Sequence, residues 1–160
     1  MRLWRIGSPH AGLYAADDVS GEGARRAGAR WNPRGTPALY AFYHPAAAVL
    51  ETLVHIGHRK QPAVRYLVAI DVEDVQFSNP ATGIVQLTLK DLPRGWNANP
   101  PDQVSQLFGA ERFKRVRIGF AVPSAVVYEE LNVVLNPLHP AFKAAVKAVI
   151  VRPFAFDPRF

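Results

Sequence analysis

The stretch GARWNPRGTPALYAFYHPAAAVLETLVHIGH, residues 28–58, decides the fold. An arginine in a Gly/Pro-rich turn is followed by a short aromatic strand and then by an apolar helix carrying one acid. Pro45 suits a first helical position, because its φ is already helical and its missing N–H has no partner there to lose. The next charged residue is Glu51, in mid-helix. Its neighbours Ala47, Ala48, Val49, Leu50, Leu53, Val54 and Ile56 leave no side of the helix polar along its length, which predicts burial on more than one side. A buried carboxylate is unfavourable unless a charge or a donor meets it. Residues three, four and seven apart share a helical face, so His44, Ala48, Glu51, His55 and His58 form one stripe.

Around this stretch the chain reads as alternating short elements. Residues 2–6 (RLWRI) form a first strand ended by Gly7-Ser8-Pro9, with Leu3 and Arg5 on one face and Trp4 on the other. Residues 14–35 lack periodicity and read as a long functional loop with one helical turn near 23–27, carrying Arg25, Arg26, Arg30 and Arg34. Guanidinium groups grip phosphate oxygens in pairs and glycine lets a ligand approach the backbone, so this loop can cradle a diphosphate. It matches neither a P-loop nor a GxGxxG fingerprint. Strands are expected at 38–43, 66–72, 75–77, 84–89, 115–122, 125–128, 131–135 and 149–156, and helices at 102–108, closed by Gly109, and from Pro140 through Ala148.

Length and composition set outer bounds. A chain of 160 residues, 49% hydrophobic and 20% charged, fits one globular domain over 1–160. Zero cysteines exclude disulfides, thiolate metal sites and thiol nucleophiles, and fit a cytoplasmic protein. No apolar run is long enough for a membrane span, and the N-terminus lacks a signal-peptide core. A formal charge of +6 favours anionic ligands or an acidic partner; the competing reading is charge for solubility.

Arg30, Tyr40 and Glu51 together supply a guanidinium for phosphate, an aromatic platform for a flat heterocycle and a carboxylate for a developing sugar cation. Those are the needs of nicotinamide-glycoside cleavage. The competing reading pairs Glu51 with Arg30 or another arginine inside the core. His55 is a candidate acid, base or hydrogen-bond partner of the carboxylate. Glu51, His55 and His58 share a face, but no further His/Asp/Glu cluster supports a metal site. Ser124 lacks GxSxG context, so positioning suits it better than nucleophilic attack. Two other functions remain open at this stage: a metal-independent ribonuclease using Glu51, His55 and arginines, and a noncatalytic module binding an acidic partner through 115–117.

Three segments, SGEGARRAGARWNPRGTPALYA (20–41), the helix AAVLETLVH and VPSAVVYEELNVVLNPLHPAF (122–142), resemble the RES-domain family of toxins from RES-Xre toxin-antitoxin pairs. They occur in the family's order at compatible spacing, although 95–116 lacks the Gly-Asp-x-Trp pattern expected there. The family's namesake arginine, glutamate and serine match Arg30, Glu51 and Ser124; Tyr40 matches its strand tyrosine, and Asn132, Asn136 and His139 its N-x-x-x-N-P-x-H-P tail. The resemblance implies an α+β domain similar to the ADP-ribosyltransferase fold, with β-sheets around a central NAD cleft and flanking helices. It implies NAD as substrate, no metal, acceptance by phosphate, water or a protein, and inhibition by an Xre-type helix-turn-helix antitoxin. The residues expected at NAD are Arg30, Trp31, Asn32, Tyr40, His55 and Asn136, with Arg30, Tyr40, Glu51 and Ser124 in catalysis. No nucleic-acid binding is expected outside an antitoxin complex.

Overall fold

The computed structural model describes residues 1–56, 64–114, 117–157 and 159. Its strands are β1 (Arg2–Gly7), β2 (Leu39–Phe42), β3 (Tyr66–Val72), β4 (Ile84–Gln86), β5 (Gly119–Pro123), β6 (Leu131–Leu135) and β7 (Val146–Pro153). They join in the order β4-β5-β6-β2-β1-β3-β7. Only β4 and β5 run parallel; the other neighbours are antiparallel. The expected mixed α+β architecture is therefore present.

How the strands join determines where a ligand can enter. β1 pairs with β3 along its whole length, from Arg2 opposite Asp71 to Gly7 opposite Tyr66, and β2 pairs with β6 throughout. Between β1 and β2, however, the register holds a single pair, Trp4 opposite Phe42. The sheet is thus two well-bonded halves hinged at one point, and the halves part beside it.

The helices are α1 (Glu22–Ala27), α2 (Pro45–Ile56), α3 (Asp74–Phe77), α4 (Gln103–Lys114) and α5 (Phe142–Ala145). α2 starts at Pro45, as the sequence predicts, and seats Ala47 and Ala48 on Phe42, Trp4 and Ile6. Alanines let the helix lie close over the hinge between the halves. The expectation of burial on more than one side is overturned: only Ala47, Ala48 and Glu51 are buried, while Leu50 is 38% and Val54 54% exposed. An all-round apolar sequence here covers one face and leaves the other open.

β3 matches its expected span to the residue, and Leu67 to Ile70 are buried as a central strand requires. Short apolar runs elsewhere are read less well. Residues 75–77 belong to α3, one turn closed by Phe77 N donating to Glu73 O, and not to a strand. Residues 125–128 form a turn, because Val126 N and Val127 N both donate to Ser124 Oγ. The expected strand at 84–89 ends at Gln86, and a 3₁₀ turn follows at Leu89–Asp91. The helix expected from Pro140 shrinks to α5, since the β-branched run from Val146 pairs with β3. Of the expected strand at 115–122, residues 115 and 116 lie outside the described residues, as does part of the basic 115–117 surface; β5 begins at Gly119.

Gly109 does not end its helix but sits inside α4. A Cβ placed there would lie 2.0 Å from Trp31 O, so glycine is what lets α4 press on the loop before β2. Gly109→Ala is expected to destabilise the chain by about 1–3 kcal/mol despite alanine's better helix propensity, because overpacking outweighs it. A thermal melt checks this; an unchanged or raised Tm contradicts it.

Candidate active site

Where β1 and β2 part, a cavity of about 380 Å³ opens. That is within the range of small-molecule sites. Its wall takes Arg5 and Ile6 from β1, Tyr40 and Phe42 from β2, Glu51, Thr52 and His55 from α2, Asn132 from β6, and Gly21, Gly23, Ala29, Arg30 and Trp31 from the loop and α1 region. The expected arginine-bearing loop does form one side. Of its arginines only Arg30 lines the cavity: Arg25 and Arg26 grip Glu22 at the surface, holding its carboxyl down at about 2, and Arg34 donates to Ala27 O.

Glu51 is the hub. It is 7% exposed, and its Oε1 accepts from Ser124 Oγ at 2.6 Å and from Asn132 Nδ2 at 2.8 Å. Ser124 Oγ is itself fixed by two backbone donors, Val126 N at 2.9 Å and Val127 N at 3.0 Å. The hydroxyl proton has one acceptor left, the carboxylate, so the serine aims Glu51 and is in turn aimed by its turn. Ser124 is not among the cavity-lining residues. The competing ion pair does not form: Arg30 donates through Nη1 to Trp96 O at 2.9 Å and Ala98 O at 2.8 Å. Burial lowers the Arg30 pKa, and Glu51 is the first acid whose charge opposes that. Carboxylate and guanidinium therefore both border the cavity, each held by neutral partners and not by the other.

Tyr40, Trp31 and Asn32 brace this arrangement. Tyr40 OH donates to Asn32 Oδ1 at 2.8 Å and accepts from Trp31 N at 3.0 Å, and burial drives its pKa upward. Asn32 is fully buried, its Nδ2 donating to Ala24 O, Pro33 O and Thr36 O, which leaves it holding the turn and not lining the cavity. Trp31 borders the cavity but is 1% exposed, stacked on Trp96 at 5.8 Å between ring centroids and packed by Phe108 and Phe120.

His55 Nδ1 lies 2.6 Å from Glu51 O. A carbonyl only accepts, so Nδ1 carries the proton and Nε2 is the ring's remaining atom for exchange. Asn136 stands away from the cavity lining: its Oδ1 accepts from Leu138 N and its Nδ2 reaches Phe113 O at 3.5 Å, shaping the turn after β6. His44 pairs with Glu130 at 2.9 Å. His58 lies outside the described residues, and among those described no three His, Cys, Asp or Glu side chains gather as a metal group.

Sequence reading missed Arg5 and the coupling of Asn132 to Glu51. Arg5 had a signal, a second cation inside a strand of large apolar residues; Asn132, 81 positions from Glu51, had only its polarity in the run LNVVL.

Ser124→Ala removes the donor to Glu51 and strands two backbone N–H groups. A loss of about 1–3 kcal/mol is expected in a denaturant titration, and stability equal to the parent's would contradict the assigned network.

Residues 2–157 match the RES domain family. The chain is 41% identical over 158 residues to the Prs ADP-ribosylating toxin of Sphingobium sp. (strain YBL2), covering 98% of this chain and 94% of that protein. It is 35% identical over 147 residues to Toxin Res of Yersinia enterocolitica, covering 91% and 92%. Toxin Res of Pseudomonas putida is 33% identical over 163 residues, covering 99% of each chain. Among solved structures, the M. tuberculosis MbcT-MbcA toxin-antitoxin complex contains a chain of the same fold, with a TM-score of 0.70 at 22% identity over 94% of this chain and 84% of that one.

Proposed function

The chain belongs to the RES domain family, and from that membership we propose that it is the toxin of a toxin-antitoxin pair that cleaves the nicotinamide–ribose bond of NAD. The observation carrying this reading is a buried carboxylate fixed by neutral donors, Ser124 and Asn132, in a cavity that also holds a guanidinium paired with no carboxylate among the described residues. A carboxylate neutralised by an ion pair has little field left for a substrate; one held by a hydroxyl and an amide keeps its charge.

In this mechanism the diphosphate lies on the Arg30 side and the nicotinamide riboside against Tyr40 and Glu51. The C1′–N bond breaks with its electron pair leaving on nicotinamide, which departs neutral. Positive charge appears at C1′ and the ring oxygen, where Glu51 meets it. Phosphate or water then attacks C1′ and loses a proton to His55 Nε2. Arg30, Tyr40 and Glu51 act directly, whereas Ser124 positions the carboxylate. Trp31 and Asn32 act through Tyr40, and Asn136 through the turn after β6. The protein works in the cytoplasm, where NAD is available, and an Xre-type helix-turn-helix antitoxin silences it.

A second acceptor, a protein side chain, is favoured by the Sphingobium relative's designation as an ADP-ribosylating toxin. The discriminating experiment incubates purified chain with NAD alone, with phosphate, and with cell lysate, following free nicotinamide and labelled ADP-ribose. Phosphate-stimulated release identifies phosphorolysis, label fixed on protein identifies transfer, and release in buffer alone identifies hydrolysis. No nicotinamide in any arm defeats the proposal.

A further inference from the structure

We propose that Tyr128 is a positioning residue of the site: through Asn97 it fixes the two main-chain carbonyls that hold Arg30, so that the turn aiming the carboxylate also aims the guanidinium. The inference rests on the NAD reading above for what Arg30 binds, and on the contacts of this chain for how Arg30 is held.

Arg30 spends Nη1 on Trp96 O at 2.9 Å and on Ala98 O at 2.8 Å. Those carbonyls flank one residue, Asn97, whose backbone angles set the distance between them. A shift at residue 97 therefore moves both acceptors and the guanidinium with them. Two turns shape the segment, Trp96 N donating to Pro93 O and Ala98 N to Gly95 O, and Trp96 is stacked on Trp31. Asn97 itself lies exposed between them, and its side chain is what is tied down. The tie is Tyr128: Asn97 Nδ2 donates to its hydroxyl at 2.8 Å, and its ring lies against Trp96 at 5.9 Å between centroids. The phenol thus meets two successive residues, with its ring on one and its oxygen on the other. At 47% exposure the ring adds little to the core, so these contacts are its contribution.

The other end of the tie is firm. Tyr128 belongs to the turn between β5 and β6, which is bonded from within. Ser124 Oγ accepts from Val126 N and Val127 N, Ser124 N donates to Glu130 O at 2.8 Å, and Glu130 N donates to Val127 O at 3.0 Å. The same Ser124 Oγ donates to Glu51. One turn therefore reaches the carboxylate through Ser124 and the frame of the guanidinium through Tyr128. A ligand bridging the two charges needs their separation fixed, because misplaced groups lose orientation at the reacting bond.

The test uses Tyr128→Phe and Asn97→Ala, each of which removes the bond between them at the surface. The first readout needs no ligand: the Arg30 Nε–H resonance in heteronuclear NMR, assigned by its loss in Arg30→Gln. It is expected to move in both variants, while that of Arg2, bound to Asp71, stays. An unmoved Arg30 resonance overturns the inference. The second readout is binding: the KM for NAD is expected to rise, and calorimetric ADP affinity to fall, by about 3- to 10-fold, the scale of one hydrogen bond, with kcat little changed. Added to Arg30→Gln, neither variant should cause a further loss. A loss that persists in the Arg30→Gln background would place Tyr128 on the ligand itself. A lower Tm with KM and ADP affinity unchanged would make the tie purely structural. Either result overturns the inference. Should the Arg30 resonance move while the parent never releases nicotinamide from NAD, the NAD reading falls and the positioning of Arg30 by Tyr128 stands.

Discussion

Glu51→Gln is expected to lower NAD cleavage by about 100- to 1,000-fold while leaving the fold in place, the scale on which single electrostatic stabilisers act, about 2.7–4 kcal/mol. Folding is spared because both neighbours donate to the same oxygen: Ser124 Oγ and Asn132 Nδ2 meet Oε1, and a glutamine can present its carbonyl there. The described residues make no hydrogen bond to Oε2, so the amide nitrogen can take that position without displacing a partner. What is lost is a negative charge at the place where C1′ becomes positive. The loss should appear in kcat with little change in KM, since the charge matters more in the transition state than in the bound substrate. Steady-state nicotinamide release, with circular dichroism to confirm folding, gives the answer; a kcat near the parent's removes Glu51 from the chemistry.

Trp31→Ala carries the second large effect, and it falls on stability. The indole is 1% exposed and contacts Trp96, Phe108 and Phe120, joining the loop before β2 to α4 and β5. Truncating a buried tryptophan removes about 3–5 kcal/mol, against a total of about 5–15 kcal/mol for a typical domain. A melting temperature lower by about 6–20 °C is expected for a chain of this length. Trp31→Phe should recover most of it. A small shift in Tm with a large rise in KM for NAD would instead make Trp31 a ligand platform, the role its position beside Arg30 in sequence suggests.

Those two residues show how far sequence carries. Glu51 was legible because a lone acid in an apolar helix demands an explanation, and α2 and β3 were legible because their patterns are long. Arg30 and Tyr40 line the same cavity as Glu51, and the turn-strand-helix order around them is what brought them together in the sequence. What pairs with Glu51 was not legible: Ser124 and Asn132 reach it across 73 and 81 positions, through the β5–β6–β2 pairings. Short runs such as 75–77 and 125–128 carry too few residues for period to choose between turn and strand, and one side-chain acceptor, Ser124 Oγ, settles the second of them. Gly109 read as a stop because glycine commonly is one, whereas here its missing side chain makes room for the Trp31 backbone. The parting of β1 from β2, which creates the cavity, follows from one pairing and has no counterpart in composition or period.

The central claim is that one dinucleotide spans the cavity from Glu51 to Arg30. A crystal structure of Glu51→Gln grown with NAD tests it most directly, because the slowed variant should keep the substrate whole. The account predicts intact NAD with its nicotinamide ribose against residue 51 and Tyr40 and its diphosphate on Arg30. Density for NAD outside this cavity, or running through it with the adenosine end at residue 51, would contradict it.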